Sequence, residues 1–491
     1  MKRIAVIGGG LGGLSGAIHL ARRNCRVQLF EANEQLGGKM AEVRLGGYRF
    51  DTGPSLMTMP FVLDDLHPQV RESMELVPLN PLCRYFFPDG RRLDACSDEE
   101  EMTAAIEAFA PGEGEAYRRF IRYSGAIYNR SAGLFLHNPI HEWRSILRPA
   151  ILPSLLKIHE IDPFRNVDQG VRRFFSDPAL VQLFNRYATY NGSDPFRAPA
   201  TLNIIPYVEY TLGGFYIKNG MHQLVRTLTK IAQKCGVEIN TSIEVNKIEI
   251  RDGRTTGIVA DHDFHPADAV LSGADVVVTH DQLIPGCRRV KKRLNRLEPS
   301  LSGLVFLWGV KRSNPGLAHH NIIFSSDYRT EFRQIFSEGR IPGDPTIYIA
   351  ITARADPHHA PAGGENWFVL INMPYLGSGW EKDFDINTMR QTVFTRLAEH
   401  GFDLSGQIEA ESVLTPHDFL TRFRSNRGSI YGLSSNSRSS AFSRPANRSR
   451  QIRGLYFSGA STHPGGGVPL VLLSGKIAAQ LISDYELGQR Q

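Results

Sequence analysis

The chain has 491 residues, 42% hydrophobic and 22% charged, which is the balance of an ordinary globular protein and excludes wholesale disorder. Its 56 Lys and Arg against 50 Asp and Glu leave a net charge of +6, too dilute for a nucleic-acid footprint but compatible with an anionic membrane surface. The five scattered cysteines (Cys25, Cys83, Cys96, Cys235 and Cys287) contain no CxxC pair, which fits a reducing compartment and gives no metal framework.

Met1-Lys2-Arg3 followed by an apolar run has the outline of a signal peptide. Gly8, Gly9, Gly10, Gly12 and Gly13 make the run too glycine-dense for the apolar helix of a signal peptide, so that reading is set aside. Arg3 to Ile7 predicts a buried strand, Leu11 to Asn24 a helix and Val27 to Glu31 a second strand, together one βαβ unit. Gly8-x-Gly10-x-x-Gly13 joins strand to helix. Gly8 permits the tight turn, Gly10 lets backbone approach a pyrophosphate, and Gly13 lets the helix pack on the strand. Glu31, at the end of the second strand, would accept hydrogen bonds from ribose hydroxyls and repel a 2′-phosphate, which argues against NADP. The glycine pair in Gly37-Gly38-Lys39, with Phe50-Asp-Thr-Gly-Pro54 after it, allows backbone to run beside a longer cofactor and favours FAD over NAD.

From about Glu99 to Arg186 the periodicity is helical. Within this stretch Trp143 to Ile158 combines apolar residues with Arg144, Arg148 and Lys157 and has no acid. It suits a helix pair lying in a membrane interface, broken at Pro149 and Pro153, or a hairpin packed on the core. Val225 to Cys235 reads as helix, Val237 to Ile250 as paired strands and Ala269 to Ser272 as a strand. The basic run Arg288 to Arg296 reads as a solvated helix face, with a second membrane contact as the alternative. His319 and His320 either line a substrate channel or are solvated; two adjacent histidines alone make no metal site. Leu304 to Val310, Ile347 to Thr352 and Trp367 to Met373 are strand candidates, and Leu433 to Ser443 is a Ser-rich surface loop. Leu455 to Ser458 reads as a strand and Leu470 to Tyr485 as the last helix. No stretch of 18 apolar residues and no internal repeat occurs.

The loop before that helix carries the most specific pattern. Gly459, Ala460 and Ser461 can present N–H groups to a phosphate or ribityl chain. Gly465 to Gly467, with Gly466 at the centre, can pass beside an isoalloxazine ring. The following helix dipole favours negative charge on a reduced flavin. His463 is the one polar catalytic candidate near the ring, with a loop-fixing hydrogen bond as its other role.

These residues resemble the bacterial carotenoid desaturases of the phytoene desaturase type, relatives of the flavin amine oxidases. The resemblance covers nearly the whole chain. It rests on Val6-Ile-Gly-Gly-Gly-Leu-Gly-Gly13, Glu31, Gly37-Gly-Lys39, Phe50 to Ser55 and Leu183-Phe-Asn-Arg-Tyr-Ala-Thr-Tyr-Asn-Gly-Ser193. Leu317-Ala-His-His320 with Phe324, Ser325 and Tyr328, and Thr462-His-Pro-Gly-Gly-Gly-Val-Pro469, complete it. Lys39 departs from the Arg of many relatives, and Gly273 from a frequent Asn. The branch most similar around Phe184 to Asn203 includes the 1-hydroxycarotenoid 3,4-desaturases.

The resemblance implies an α/β fold with a Rossmann-like FAD-binding domain built from residues 1–80, 221–285 and 431–491. A helical, membrane-contacting region would occupy 81–220, and a mixed-sheet substrate domain 286–430. It implies FAD as cofactor, held by the residues above together with Val245, whose backbone would lie near the adenine, and Val468. It implies a lipophilic carotenoid substrate, a cytoplasmic site on the inner face of the cell membrane, and oxygen or a quinone as electron acceptor. Two hydrogens would leave a C–C bond beside the polyene, one as hydride to flavin N5 and one as a proton. The adjacent cation is acidic enough to need no tuned base. The competing readings are a related carotenoid oxidase, an amine oxidase, and a non-catalytic prenyl-lipid-binding protein.

Overall fold

In a computed structural model, which describes residues 1–142, 158–437 and 444–488, Arg3–Ile7 is the central strand of a five-stranded parallel sheet. Ile4 to Ile7 are all buried, as a strand covered on both faces requires. The sheet runs Leu455–Phe457, Ala269–Ser272, Arg3–Ile7, Arg26–Phe30, Glu238–Asn240. Three distant parts of the chain therefore build one nucleotide-type sheet. The expected pairing of strands within Val237 to Ile250 does not occur. Glu238–Asn240 joins this parallel sheet, while Val245–Arg251 pairs with Arg254–Ala260 in a separate three-stranded sheet. Only four residues, 241–244, separate the two strands, which conceals that change of sheet.

The second layer is a seven-stranded mixed sheet. Its order is Ile408–Leu414, Ser302–Val310, Glu365–Met373, Ile347–Ile351, His320–Ile323, Cys83–Phe86, Arg92–Ala95. All neighbours are antiparallel except His320–Ile323 with Cys83–Phe86. The period-two pattern of its strands decides what each face meets. Trp367, Val369, Ile371 and Met373 pack with Leu304, Phe306 and Trp308 into one core. The alternate residues Phe368, Leu370 and Asn372 face the cavity described below.

The stretch expected to be helical contains Glu99–Phe109, Gly114–Phe135, Val167–Val171 and Pro178–Asn185, followed by Ile204–Leu212. The segment 81–220 also supplies two strands of the seven-stranded sheet, Cys83–Phe86 and Arg92–Ala95. Trp143 to Lys157, the interface-helix candidate, lies outside the described residues. Among the described residues no helix is long and apolar enough to cross a membrane. The basic run forms the helix Arg288–Leu294, with Arg288, Arg289, Lys292 and Arg293 exposed and Leu294 buried.

The Ser-rich stretch is not a surface loop where it is described. Leu433, Ser435 and Asn436 are buried. Asn436 accepts from the Asp194 N–H at 2.7 Å and donates to Glu298 at 2.7 Å, and Asn191 donates to Ser435 at 2.6 Å. Polar residues read as exposed when their partners, here on the turn around Gly192, are distant in sequence. The last helix starts at Val468, two residues before Leu470, and runs to Ile482.

Candidate cofactor and substrate site

Two helices begin at the same place. Leu11–Ala21 starts after Gly10, and Val468–Ile482 starts after Gly467. They cross backbone to backbone. A Cβ on Gly475 would stand 2.5 Å from the Gly12 carbonyl oxygen and 2.7 Å from the Gly16 nitrogen. Ser15 Oγ donates to the Leu472 carbonyl at 2.7 Å across the crossing. Small residues at Gly12, Gly16 and Gly475 thus bring both N-termini to one cavity. Neither N-terminus has a side-chain cap or an acid in its first turn. Their unpaired N–H groups and positive dipole ends suit a pyrophosphate and an electron-rich ring.

That cavity has a volume of about 470 Å³, within the size range of ligand sites. Of the residues singled out from sequence, Gly8, Gly10, Glu31, Gly38, Lys39 and Val245 line it. So do Gly459, Ala460, Ser461 and Val468. Gly8 makes the turn with φ +89°. A Cβ at Gly10 would meet nothing within 4 Å, so the space over it is open to a ligand. Gly13 and Gly466 stand behind the wall. A Cβ on Gly13 would lie 2.0 Å from the Gly8 carbonyl oxygen, and one on Gly466 3.0 Å from that of Tyr431. This cradle of open backbone and uncapped helices fits FAD.

Glu31 shapes the turn as well as the wall. Its Oε2 accepts from Gly9 N–H at 2.7 Å, and its Oε1 accepts from the Asn33 N–H at 2.9 Å and side-chain amide at 2.7 Å. Lys39 donates to the carbonyls of Ser429 (3.2 Å) and Ile430 (2.9 Å), tying the Gly37-Gly38 turn to the far wall. Burial pushes its ammonium down to about 8, with Asp275 acting the other way. Between pH 8 and 10.5 the folded protein has given up this proton while the unfolded chain keeps it, so Lys39 makes stability rise with pH in that window. The difference in unfolding free energy between wild type and K39M, followed by urea titration of the apoprotein, is expected to grow from pH 8 to 10.5. A pH-independent difference would refute the assignment.

His463 is not on the cavity wall. It is buried, its Nε2 pairs with the Asn138 carbonyl at 3.0 Å, and its ring meets that of His141 edge-on at 5.6 Å. Burial, then His141, pushes its pKa down to about 3, so it is neutral. This is the loop-fixing role. Two residues outside the sequence reading share that task. Arg444 donates to the Ala460 carbonyl at 2.9 Å, and Asn447 to the His463 carbonyl at 2.8 Å. Arg444 had no signal beyond a cation beside a Ser-rich stretch.

Beyond the glycine cradle the same cavity continues as an arm along the seven-stranded sheet. Leu82, Leu301, Val305, Phe368, Leu370 and Tyr431 contribute apolar surface to it. Arg186, Thr189, Tyr190 and Glu209 enter from the helical layer, and His320, Tyr328 and Tyr348 from the sheet side. His320 lines the arm; its neighbour His319 is buried behind it, with ring centroids 4.5 Å apart. Among the described residues no His, Cys, Asp and Glu cluster could hold a metal.

The sequence pattern described as "Flavin containing amine oxidoreductase" matches residues 11–483. A 1-hydroxycarotenoid 3,4-desaturase of Flavobacterium sp. is 38% identical over 487 residues, covering 98% of this chain and 99% of the relative. A 4,4′-diapolycopene oxygenase of Methylomonas sp. is also 38% identical, over 494 residues and 99% of both chains. Among solved structures, an oxidoreductase from Methanosarcina mazei superposes with a TM-score of 0.66 at 17% identity, covering 96% of this chain and 99% of that one. A putrescine oxidase variant gives 0.66 at 12% identity, covering 98% and 99%.

Proposed function

The chain belongs to the flavin-containing amine oxidoreductase family as an FAD-dependent oxidoreductase, and on that premise we propose that it dehydrogenates a carotenoid chain during carotenoid biosynthesis. One observation carries the reading: the dinucleotide cradle and the apolar and aromatic residues of the sheet line a single cavity. The two full-length relatives at 38% identity, a carotenoid desaturase and a carotenoid oxygenase, support it. The carboxylate on the arm, Glu209, is already matched by Arg186, Tyr187 and Tyr190, which leaves an amine's charge no counter-ion there.

Bound FAD supplies the hydride acceptor. The protein's own task is to hold and position. Phe368, Leu370, Leu301 and Val305 provide the apolar surface that keeps a polyene in the arm and water out of it. Arg444 and Asn447 fix the loop Gly459 to Val468 from behind, so that the wall against the chain does not yield. Glu31 and Lys39 fix the opposite turn.

Peripheral contact with the inner face of a membrane is part of this proposal, because the substrate is a lipid. The exposed basic helix Arg288–Leu294 supports a headgroup contact. Oxygen or a quinone would reoxidise the flavin.

The test is expression in hosts that accumulate defined acyclic carotenoids, with mass spectrometry of the pigments. A desaturase lowers the product mass by two hydrogens per step, and turnover confined to 1-hydroxylated precursors would assign the late 3,4-desaturating branch. The second reading, an oxidase of chain ends, is favoured by the equal identity to the diapolycopene oxygenase and predicts added oxygen instead. No turnover of any carotenoid would refute both.

A further inference from the structure

Three arginines are buried among the described residues: Arg49, Arg186 and Arg444. Arg49 pairs with Asp51 and Glu42, and Arg186 faces Glu209. Arg444 pairs with no carboxylate among the described residues. Its hydrogen bonds run to neutral groups: the Ala460 carbonyl at 2.9 Å, the Leu433 carbonyl at 3.1 Å and the Ser435 hydroxyl at 3.5 Å. The remaining residues, 143–157, 438–443 and 489–491, contain no Asp or Glu. Burial pushes the Arg444 guanidinium down to about 10, so it stays charged at neutral pH. A buried cation without a counter-charge is costly, so its place calls for a negative charge supplied from outside the chain.

The position of Arg444 says where that charge arises. Its guanidinium lies directly behind the loop Gly459 to Gly467. A Cβ on Gly465 would stand 3.5 Å from its Cζ. Ala460, whose carbonyl it holds, and Gly467 both line the cavity, so one layer of backbone separates the cation from the bound group. Gly467 caps the helix Val468–Ile482, whose dipole has the same sign. A pyrophosphate is met elsewhere, at the open N-terminus of Leu11–Ala21. Hydride transfer carries two electrons and one proton to flavin N5, so a neutral ring becomes an anion unless a second proton is taken up. A fixed cation in a wall shielded from salt favours that anion and strengthens the pull on the hydride.

We propose that Arg444 is the counter-charge for the negative charge that hydride transfer leaves on the flavin ring, acting through the loop at Gly465 without touching the cofactor. Arg444 is thus a positioning residue with an electrostatic task beyond holding the loop. The proposal rests on the FAD cradle and is independent of which polyene is oxidised.

The experiment measures the flavin reduction potential of the holoprotein against a reference dye. In R444M the equilibrium constant for two-electron reduction is expected to fall about tenfold, a shift of about 30 mV to lower potential. R444K keeps the charge at pH 6 and is expected to match the wild type there. Burial neutralises an ammonium at lower pH than a guanidinium, so the R444K potential should drop progressively below the wild type as pH rises towards 9. Hydrogen bonding to the loop alone would give R444K an offset that is constant with pH. Wild-type potentials in both variants, or a constant R444K offset from pH 6 to 9, would overturn the proposal. Weakened FAD binding by R444M at an unchanged potential would put the charge at the pyrophosphate and overturn it too. Where R444M is recovered without flavin, the pH series of R444K decides alone. A wild type that binds no flavin would overturn the cradle as well.

Discussion

Replacing Gly10 with valine is expected to give a folded, colourless protein. Gly10 has φ −67° and ψ 172°, a conformation any residue adopts, and a Cβ there meets no protein atom within 4 Å. The side chain would instead occupy the open space at the N-terminus of Leu11–Ala21, where the cradle receives a pyrophosphate. Affinity for FAD is expected to fall about a hundredfold or more, roughly 2.7 kcal/mol, measured by flavin titration of the apoprotein. The apoprotein should keep its melting temperature, while the rise in stability on adding FAD should vanish. A yellow G10V protein with wild-type flavin content would contradict the assignment of the cradle. Gly13→Val gives the contrasting outcome. Its Cβ would lie 2.0 Å from the Gly8 carbonyl oxygen, so helix and strand must separate, and insoluble protein is expected.

The second large effect is expected at Arg49. This residue is 2% exposed and lies between Asp51 at 2.7 Å, Glu42 at 3.1 Å and the Tyr216 hydroxyl at 3.2 Å. Asp51 is also buried and accepts from Tyr216 at 2.5 Å and from the Met221 N–H at 3.1 Å. The network joins the hairpin Glu42–Leu45/Tyr48–Asp51 to the strand Phe215–Ile217 and the start of the helix His222–Lys234. R49M leaves Asp51 charged, buried and without its cation. The expected cost is about 3–5 kcal/mol in urea unfolding of the holoprotein, because an uncompensated buried charge is worse than an apolar replacement of the pair. The double variant R49M/D51N should recover part of the loss, since it removes the stranded charge. Thr52 to Ser55 follow Asp51 directly and line the cavity, so R49M should also loosen FAD. A loss within experimental error in R49M would show that the network does not hold this junction.

Much of the nucleotide-binding half was legible because its determinants are local. The turn at Gly8, the open backbone at Gly10 and the close contact at Gly13 lie within six residues of one another; the fold itself needs glycine at Gly8 and Gly13, while Gly10 keeps space open for a ligand. The strands Ala269–Ser272 and Leu455–Phe457 were readable as short strands because each is a local apolar run. The sheet to which each strand belongs was not. Glu238–Asn240 and Val245–Arg251 take different partners, and partners are set by long-range register. The Ser-rich stretch failed in the same way, since composition could not reveal the buried turn around Gly192 that satisfies Ser435 and Asn436.

The arm shows the same division. Arg186 stands in the stretch Leu183 to Ser193 that carries part of the family resemblance, yet its role depends on Glu209 and Tyr85, which come from other elements. His319 and His320 are adjacent in sequence, yet only His320, the first residue of the strand His320–Ile323, lines the cavity. Sequence by itself determined the flavin-type nucleotide cradle, because backbone sterics and helix N-termini act over a few residues. Only the tertiary structure decided that the cradle shares one cavity with apolar and aromatic residues of the seven-stranded sheet. Burial and hydrogen-bond satisfaction are properties of neighbours in space, and those neighbours come from distant parts of the chain.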